Sequence, residues 1–172
     1  MRAGTLISVG EYLHSSYHPD REFIDGSILE RCLGERDHSE LQGEFIVYLA
    51  RLRRKLGIHA YPEQRVQVSA TRFRVPDVCI VVGLKPTEQI FTKPPFVCIE
   101  ILSKDDRLSE MQQRIDDYLR FGVPYCWVVD PREHRAWVYT SEGCREVADG
   151  LLRTENPEIV VPLAEVFDPS TE

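Results

Sequence analysis

The chain has 172 residues, of which 42% are hydrophobic and 28% are charged, and its formal net charge at pH 7 is −7. This composition is typical of a folded protein and predicts one domain over residues 1–172. The negative charge disfavours a general electrostatic affinity for nucleic acid, although a local basic face can exist on an acidic protein. No apolar segment has the length of a membrane span, and the apolar part of the N-terminus is too short for a signal peptide, so we expect a cytoplasmic protein with no membrane partner.

The cysteines also favour an intracellular location. The chain has five of them, at positions 32, 79, 98, 126 and 144, and no Cys-x-x-Cys spacing occurs. Three lie in apolar, strand-like runs. We therefore expect the cysteines to be buried free thiols in a reducing compartment.

The N-terminal part of the chain predicts a short helix, a hairpin and a long helix. A helix over residues 9–14 is indicated by Ser8, which is a favourable cap. The Asp25-Gly26 step between two apolar runs supplies the positive φ angles of a tight hairpin turn. From residue 37 to residue 56 apolar residues recur at helical spacing, and Gly57 follows as a stop.

The rest of the chain predicts a sheet and one further long helix. Residues 65–69 alternate as in a half-exposed strand, whereas residues 78–82 and 96–99 are continuously apolar, which is typical of central strands covered on both faces. The proline-rich segment 83–95 between them predicts a loop. The later elements are a helix at 108–121 ended by Gly122, a buried strand at 125–129, an edge hairpin at 135–140 and 143–147, a short strand at 158–161 and a helical turn at 162–167. Together these elements predict an α+β fold.

Two acidic residues interrupt the apolar runs of the predicted central strands. Asp77 lies in Arg74-Val-Pro-Asp-Val-Cys-Ile-Val-Val82, and Glu100 lies in Phe96-Val-Cys-Ile-Glu-Ile-Leu-Ser103. Ionised carboxylates are seldom buried without a partner, and two of them on adjacent strands can hold Mg²⁺ or Mn²⁺, which activates a bound water. The structural alternative is that Asp77 caps a turn after Pro76 and that Glu100 pairs with an arginine. Two such acids in this order favour the metal site.

Motifs along the chain resemble a known group of nucleases. Pro76-Asp77 followed by Glu100 resembles the signature of the PD-(D/E)xK nuclease superfamily, with Leu102 at the position where that signature has Lys. The closer resemblance is to the bacterial Uma-type putative restriction endonuclease family, and it extends over nearly the whole chain. The matching segments are Glu22-Phe-Ile-Asp-Gly-Ser-Ile-Leu-Glu30, His38, Arg74-Val-Pro-Asp-Val78, Glu100-Ile-Leu-Ser103 and Tyr118-Leu-Arg-Phe-Gly-Val-Pro-Tyr-Cys-Trp-Val-Val-Asp-Pro131. The resemblance implies a restriction-endonuclease-like mixed β-sheet core flanked by helices, with an N-terminal β-hairpin.

The resemblance also implies a role for Arg114. In the family the missing Lys lies on the following helix, four residues before the Tyr of a Tyr-x-x-x-Gly segment, and Arg114 occupies that position before Tyr118. Arginine keeps a positive charge that complements phosphate, but its high pKa rules out proton transfer. The predicted catalytic residues are therefore Asp77, Glu100 and Arg114, with Asp77 and Glu100 as the metal ligands.

Four further residues are candidates for supporting roles, each with a structural alternative. Glu40 can be an outer metal ligand or a solvated acid favoured by the helix dipole. His38 can contact the substrate or a ligating carboxylate, or have a structural role at the helix start. Ser103 can hydrogen-bond a metal-bound water or end the strand. Glu110 can support the site or form an i,i+4 ion pair with Arg114.

These features favour a Mg²⁺- or Mn²⁺-dependent endonuclease that hydrolyses phosphodiester bonds in DNA. A homodimer would suit duplex cleavage. Leu102, Arg114 and the acidic net charge favour a second interpretation, a catalytically weakened or inactive nuclease-fold module with a binding or regulatory role. A third is a metal-dependent phosphodiesterase that acts on nucleotides or RNA.

Overall fold

The computed structural model of the protein describes residues 6–31 and 35–168. Its helices are α1 (Val9–His14), α2 (Arg36–Leu56), α3 (Leu108–Phe121) and α4 (Leu163–Phe167). Its strands are β1 (Glu22–Ile24), β2 (Ser27–Leu29), β3 (Ile58–Pro62), β4 (Val66–Ser69), β5 (Arg72–Arg74), β6 (Val78–Val82), β7 (Val97–Ile101), β8 (Tyr125–Asp130), β9 (Arg135–Thr140), β10 (Gly143–Glu146), β11 (Leu151–Arg153) and β12 (Val160–Pro162).

A six-stranded mixed sheet in the order β10-β9-β8-β7-β6-β3 forms the centre of the fold. Strands β7 and β8 are parallel because α3 connects them as a crossover, and the other neighbours are antiparallel. Helix α2 packs on one face, where Phe45 and Leu49 join Ile80 and Ile99 in the core. Helix α3 packs on the other face through Met111, Ile115 and Tyr118. Strands β6 and β7 are therefore covered on both faces, which explains their continuous apolar sequences.

A smaller sheet in the order β2-β1-β5-β4 contains the N-terminal hairpin. Its turn is formed by Asp25 and Gly26, whose φ angles are 49° and 96°, as the Asp-Gly step predicts. Helix α1 packs Tyr12 on this sheet, with ring centroids 5.1 Å from Phe23 and 5.2 Å from Phe73. The sheet also places Glu22, at the start of β1, beside the end of β5.

The predicted α+β class, the hairpin, the two long helices and the central strands are confirmed. The sequence pattern did not predict β3, β5 and β11, because β5 and β11 have three residues each and β3 buries only Ile58 fully. Cys79, Cys98 and Cys126 are buried free thiols as predicted, whereas Cys144 is exposed, because every residue of β10 faces solvent at the edge of the sheet. Cys32 lies outside the described residues. Within 6–31 and 35–168, no helix combines the length and apolar character needed to cross a membrane.

Candidate active site

Asp77 and Glu100 lie next to each other on neighbouring strands. The antiparallel register pairs Val78 with Ile99, so the next residue outward on each strand is Asp77 and Glu100. Both are buried, with 3% and 2% of their surface exposed. Oδ2 of Asp77 accepts a hydrogen bond of 2.7 Å from the backbone N–H of Ile101, which holds the aspartate against the end of β7. The predicted adjacency of the two acids at one end of the sheet is confirmed.

A polar cavity of about 20 Å³ lies in front of the two carboxylates. Its lining includes five residues that the sequence singles out: His38, Asp77, Glu100, Ser103 and Arg114. Arg31 and Asp106 complete the polar lining. A cavity of this size has room for about one water molecule or one small ion, so a larger ligand can reach the carboxylates only from its mouth.

Asp77 is compensated by two basic side chains. The guanidinium of Arg31 pairs with Oδ1, and Nε2 of His38 lies 3.3 Å from Oδ2. Burial alone would raise the pKa of Asp77, but the hydrogen bond from His38 and the charge of Arg31 outweigh it and lower the pKa. The amide of Gln42 also donates to the backbone carbonyl of Asp77, at 2.8 Å, which fixes α2 against the start of β6. Asp77 is therefore held as an anion.

Glu100 has a different environment. The hydroxyl of Tyr118 donates a hydrogen bond of 2.6 Å to Oε1, while Nη1 of Arg114 lies 3.6 Å from Oε2. Burial raises the pKa of Glu100 to about 8, although Arg114 acts in the opposite direction. The negative charge of Asp77 contributes further to the increase. The site thus combines a carboxylate with a lowered pKa, Asp77, and a carboxylate with a raised pKa, Glu100, whose ionised form an additional cation would stabilise.

Arg114 reaches the site from α3 and contacts three acids. Its Nε lies 3.4 Å from Glu22, and its Nη1 lies 3.6 Å from Glu100 and 3.8 Å from Asp106. Only 12% of the Arg114 side chain is exposed. The arginine predicted to replace the missing Lys is therefore within contact distance of the second carboxylate.

A buried ionic network lies behind Arg114. Arg74 donates hydrogen bonds of 2.7 Å to Glu22 and 2.7 Å to Asp117, and Glu22 also accepts from the backbone of Val75 at 3.1 Å. Asp117, on α3, has a further bond of 2.8 Å from Arg72. The network ties α3 to the smaller sheet and so fixes the base of the Arg114 side chain.

Comparison with known proteins shows which family the chain belongs to. Residues 11–168 match the family described as "Uma2: Putative restriction endonuclease". The chain belongs to this family. A crystal structure from Anabaena variabilis, described as a putative nuclease belonging to DUF820, is similar in fold. The TM-score is 0.80 and the sequence identity is 22%, and the match covers 94% of this chain and 97% of that chain. No curated protein matches the chain.

The predicted restriction-endonuclease-like fold is confirmed by this likeness. Two of the predicted site residues, Glu40 and Glu110, lie away from the cavity. The side chain of Glu40 is 66% exposed, 3.9 Å from Arg36 on the outer side of α2. Glu110 is 57% exposed and lies 3.9 Å from Arg107. The i,i+4 pair of Glu110 with Arg114 does not form, because Arg114 turns inward to the acids.

The two other supporting candidates line the cavity of the Uma2 chain. His38 contacts Asp77, which fits its predicted contact with a ligating carboxylate. The hydroxyl of Ser103 donates a hydrogen bond of 3.0 Å to Asp106. This serine therefore positions Asp106 as well as following the end of β7.

Sequence reasoning did not assign Arg31, Tyr118, Asp106 or Glu22 to the site. Arg31 and Asp77 are 46 positions apart in the chain, so no local spacing connects them. Tyr118 has the apolar spacing of a helix face, and its hydroxyl contact with Glu100 is a tertiary property. Glu22 gave a signal, since it begins the first segment of the resemblance.

The chemistry of the donors fits a hard divalent cation. Asp77 and Glu100 supply carboxylate oxygens, the ligand type that Mg²⁺ and Mn²⁺ prefer, and Mg²⁺ commonly uses one or two carboxylates with several waters. In residues 6–31 and 35–168, no group of three or more His, Cys, Asp or Glu side chains has the arrangement of a metal site. A cation would therefore depend on these two carboxylates, with Arg31 displaced from Oδ1 of Asp77.

Proposed function

We propose that this Uma2 protein is a Mg²⁺- or Mn²⁺-dependent endonuclease that hydrolyses phosphodiester bonds in DNA. The observation that carries the proposal is the pair of buried carboxylates, Asp77 and Glu100, at the end of two adjacent strands with Arg114 beside them. Burying two acids side by side is unfavourable unless basic side chains or a bound cation compensate their charge, and here the basic side chains leave Glu100 with a raised pKa. Membership of a family of putative restriction endonucleases supports phosphodiester hydrolysis as the reaction.

Each residue of the site has a role in this proposal. Asp77 and Glu100 would hold the cation, which would supply Lewis-acid chemistry by lowering the pKa of a water and offsetting charge on the phosphoryl group. Arg114 stabilises the negative charge that develops on the phosphate in the transition state. It remains protonated, so it does not accept a proton from the attacking water. His38 orients Asp77 by contact with Oδ2.

Arg31 neutralises Asp77 when no metal is bound. Its guanidinium contacts Asp77 and also lies 3.3 Å from Glu63 at the surface. Since Glu63 is half-exposed, it would offer Arg31 a second acceptor if a cation were bound by Asp77. Metal binding in this proposal therefore includes a shift of one ion pair rather than the burial of a new charge.

Cleavage of supercoiled plasmid tests the proposal. The wild-type protein is incubated with Mg²⁺ or Mn²⁺ beside Asp77→Asn and Glu100→Gln, which keep the side-chain shapes and remove the charges. Glu40→Gln is the matched control, because it removes an exposed carboxylate outside the cavity. We expect cleavage by the wild type and by the control, and a loss of at least about 100-fold in both site variants. Equal cleavage by Asp77→Asn and the wild type would contradict the proposal.

The second candidate is a nuclease-fold module that binds a partner without catalysis. Its support is the pairing of both carboxylates with arginines, because Arg31 and Arg114 already supply positive charge. Titration calorimetry with Mn²⁺ in the absence of DNA discriminates between the two. Binding that is lost in Glu100→Gln argues for the metal enzyme, whereas absence of binding favours the module.

A further inference from the structure

A groove of about 390 Å³ opens directly beside the cavity of the carboxylates. Ser103 and Asp106 line both spaces, so the groove is continuous with the candidate active site. Its apolar wall includes Met111, Trp137 and Tyr139. None of the functional roles argued above uses this groove.

The groove exists because α3 covers only part of the sheet face. Alternate residues of β9 share a face, and the register places Trp137 opposite Val128 and Tyr139 opposite Cys126 of β8. Cys126 and Val128 are buried under α3, whereas Trp137 and Tyr139 are only half-buried. Two aromatic side chains therefore remain partly accessible on the same face as Glu100, with the guanidinium of Arg135 over the ring of Trp137 at 5.1 Å from its centroid.

The rim of the groove is basic. Lys104, Arg107 and Arg132 line it, and Asp106 is the acid among the lining residues. Asp106 is occupied by hydrogen bonds of 2.7 Å from the backbone and 3.0 Å from the hydroxyl of Ser103. Arg107 is 78% exposed and lies 3.9 Å from Glu110, a distance at which a surface pair contributes little. Lys104 pairs with Glu35 at 2.5 Å, and Arg132 lies 3.4 Å from Asp130, so each of the three cations has an acidic partner. Their side chains are nevertheless 60%, 78% and 44% exposed, which leaves them accessible to a phosphate.

We propose that this groove binds an unpaired nucleotide of the substrate strand next to the cleaved phosphate. The inference rests on the proposed function, because it assigns the substrate of that same site. Aromatic rings at the wall complement the face of a nucleobase, and the cations of the rim complement the flanking phosphates. A base within a duplex has both faces covered by its neighbours, so only an unpaired or extruded base can stack here.

The size of the groove agrees with this occupant. Pockets for small organic ligands have volumes of roughly 300–1,000 Å³, and the groove lies near the lower limit. Ser103 and Asp106 line both the groove and the cavity of the carboxylates, so the two spaces adjoin at these residues. In this proposal, a nucleotide bound in the groove would therefore place an adjacent phosphate near the cavity that contains Asp77 and Glu100.

Tryptophan fluorescence provides a local measurement of binding. The chain has two tryptophans, and Trp127 is completely buried, so quenching by a stacked base reports on Trp137. The experiment uses full-length Asp77→Asn protein without metal, so that no cleavage occurs. The probes are a short oligothymidylate, an abasic oligonucleotide of the same length and a blunt duplex. We expect quenching by the oligothymidylate and at least about tenfold weaker binding of the other two.

Variants then test the groove itself by fluorescence anisotropy of a labelled oligothymidylate. Trp137→Ala and Arg107→Glu should each weaken binding by about tenfold. Because the side chain of Arg107 is exposed, we expect its replacement to leave the fold intact. Arg54→Glu is the matched control, because it makes the same charge change at an exposed position of α2 that does not line the groove. Equal binding of the abasic probe, tighter binding of the duplex or unchanged affinity in both groove variants would overturn the inference. Intact base binding without plasmid cleavage by the wild type would instead refute only the proposed function.

Discussion

The hydroxyl of Tyr118 donates a hydrogen bond of 2.6 Å to Oε1 of Glu100 and so connects α3 directly to β7. Both residues are fully enclosed, and the bond favours the ionised form of the carboxylate. It also directs the other oxygen, Oε2, towards Arg114. One helix therefore supplies both the hydrogen bond that orients Glu100 and the positive charge beside it.

We predict that Tyr118→Phe raises the pKa of Glu100 and weakens Mn²⁺ binding. Because the pKa of Glu100 is about 8, its carboxyl group is largely protonated at neutral pH. A hydrogen bond between neutral groups contributes roughly 0.5–1.5 kcal/mol, so the free energy of unfolding should fall by about that amount. Urea unfolding and Mn²⁺ calorimetry measure the two effects. Tyr61→Phe is the matched control, since the Tyr61 hydroxyl has no hydrogen-bond partner in the part of the chain that the structure describes. Equal losses in the two variants would contradict the role of the Tyr118 bond.

Replacing Glu100 by Gln should change the pH dependence of stability in metal-free buffer. The folded-state pKa of about 8 lies above the ordinary value of 4.5, so between these values the folded protein holds a proton that the unfolded chain has lost. Glu100 therefore makes the wild type less stable as the pH rises through this window, because its carboxyl group ionises in the unfolded chain before it ionises in the folded protein. Glu100→Gln lacks this contribution.

We expect the stability difference, variant minus wild type, to increase by about 1–3 kcal/mol from about pH 5 to about pH 8. Chemical unfolding in buffer with a chelator measures it. Glu110→Gln serves as the control, because its carboxylate is exposed and should give no such trend. A difference that stays constant across this range would show that Glu100 is ionised throughout.

The central part of the fold was predictable because its sequence signals are local. The apolar runs of β6 and β7, the helical spacing of α2 and α3 and the glycines that end both helices all follow from short-range periodicity. Gly57 and Gly122 adopt φ angles of 64° and 106°, in the left-handed region that favours glycine. Strands such as β5, with two arginines in three residues, are stabilised by tertiary ion pairs and give no apolar pattern.

Of the candidate site, only the residues that break the local sequence pattern could be predicted from the sequence. Asp77 and Glu100 interrupt apolar runs, and that interruption carries the signal. Arg31 compensates Asp77 across 46 positions, a contact that depends on how the hairpin packs against the large sheet. For Glu40 the sequence left two alternatives open, and the structure agrees with the solvated acid rather than the outer ligand. Helical spacing alone does not tell which face of the first turn of α2 points to the carboxylates.

Substitution of Arg114 tests the role of the residue that replaces the usual Lys. Arg114→Met should reduce plasmid cleavage by about 100-fold, because the charge beside Glu100 is lost. Arg114→Lys keeps that charge and restores a group that can exchange a proton, so we expect cleavage about tenfold faster than the wild type. Arg120→Lys, at an exposed position of the same helix, is the control. Cleavage by Arg114→Lys that is as slow as by Arg114→Met would show that the guanidinium itself is required.

Arg31 is predicted to compete with the metal for Asp77. Removal of the guanidinium in Arg31→Met leaves a buried carboxylate with His38 as its main partner, so stability in chelator should fall by about 3 kcal/mol. The same change frees Oδ1 for a cation and should tighten Mn²⁺ binding by about tenfold, which calorimetry measures. Because a ligand stabilises the state that binds it, added Mn²⁺ should restore more stability to Arg31→Met than to the wild type. Arg36→Met, which removes an exposed arginine near the start of α2, should show neither effect. If Mn²⁺ binds Arg31→Met more weakly than the wild type, Arg31 supports the metal site rather than competing for it.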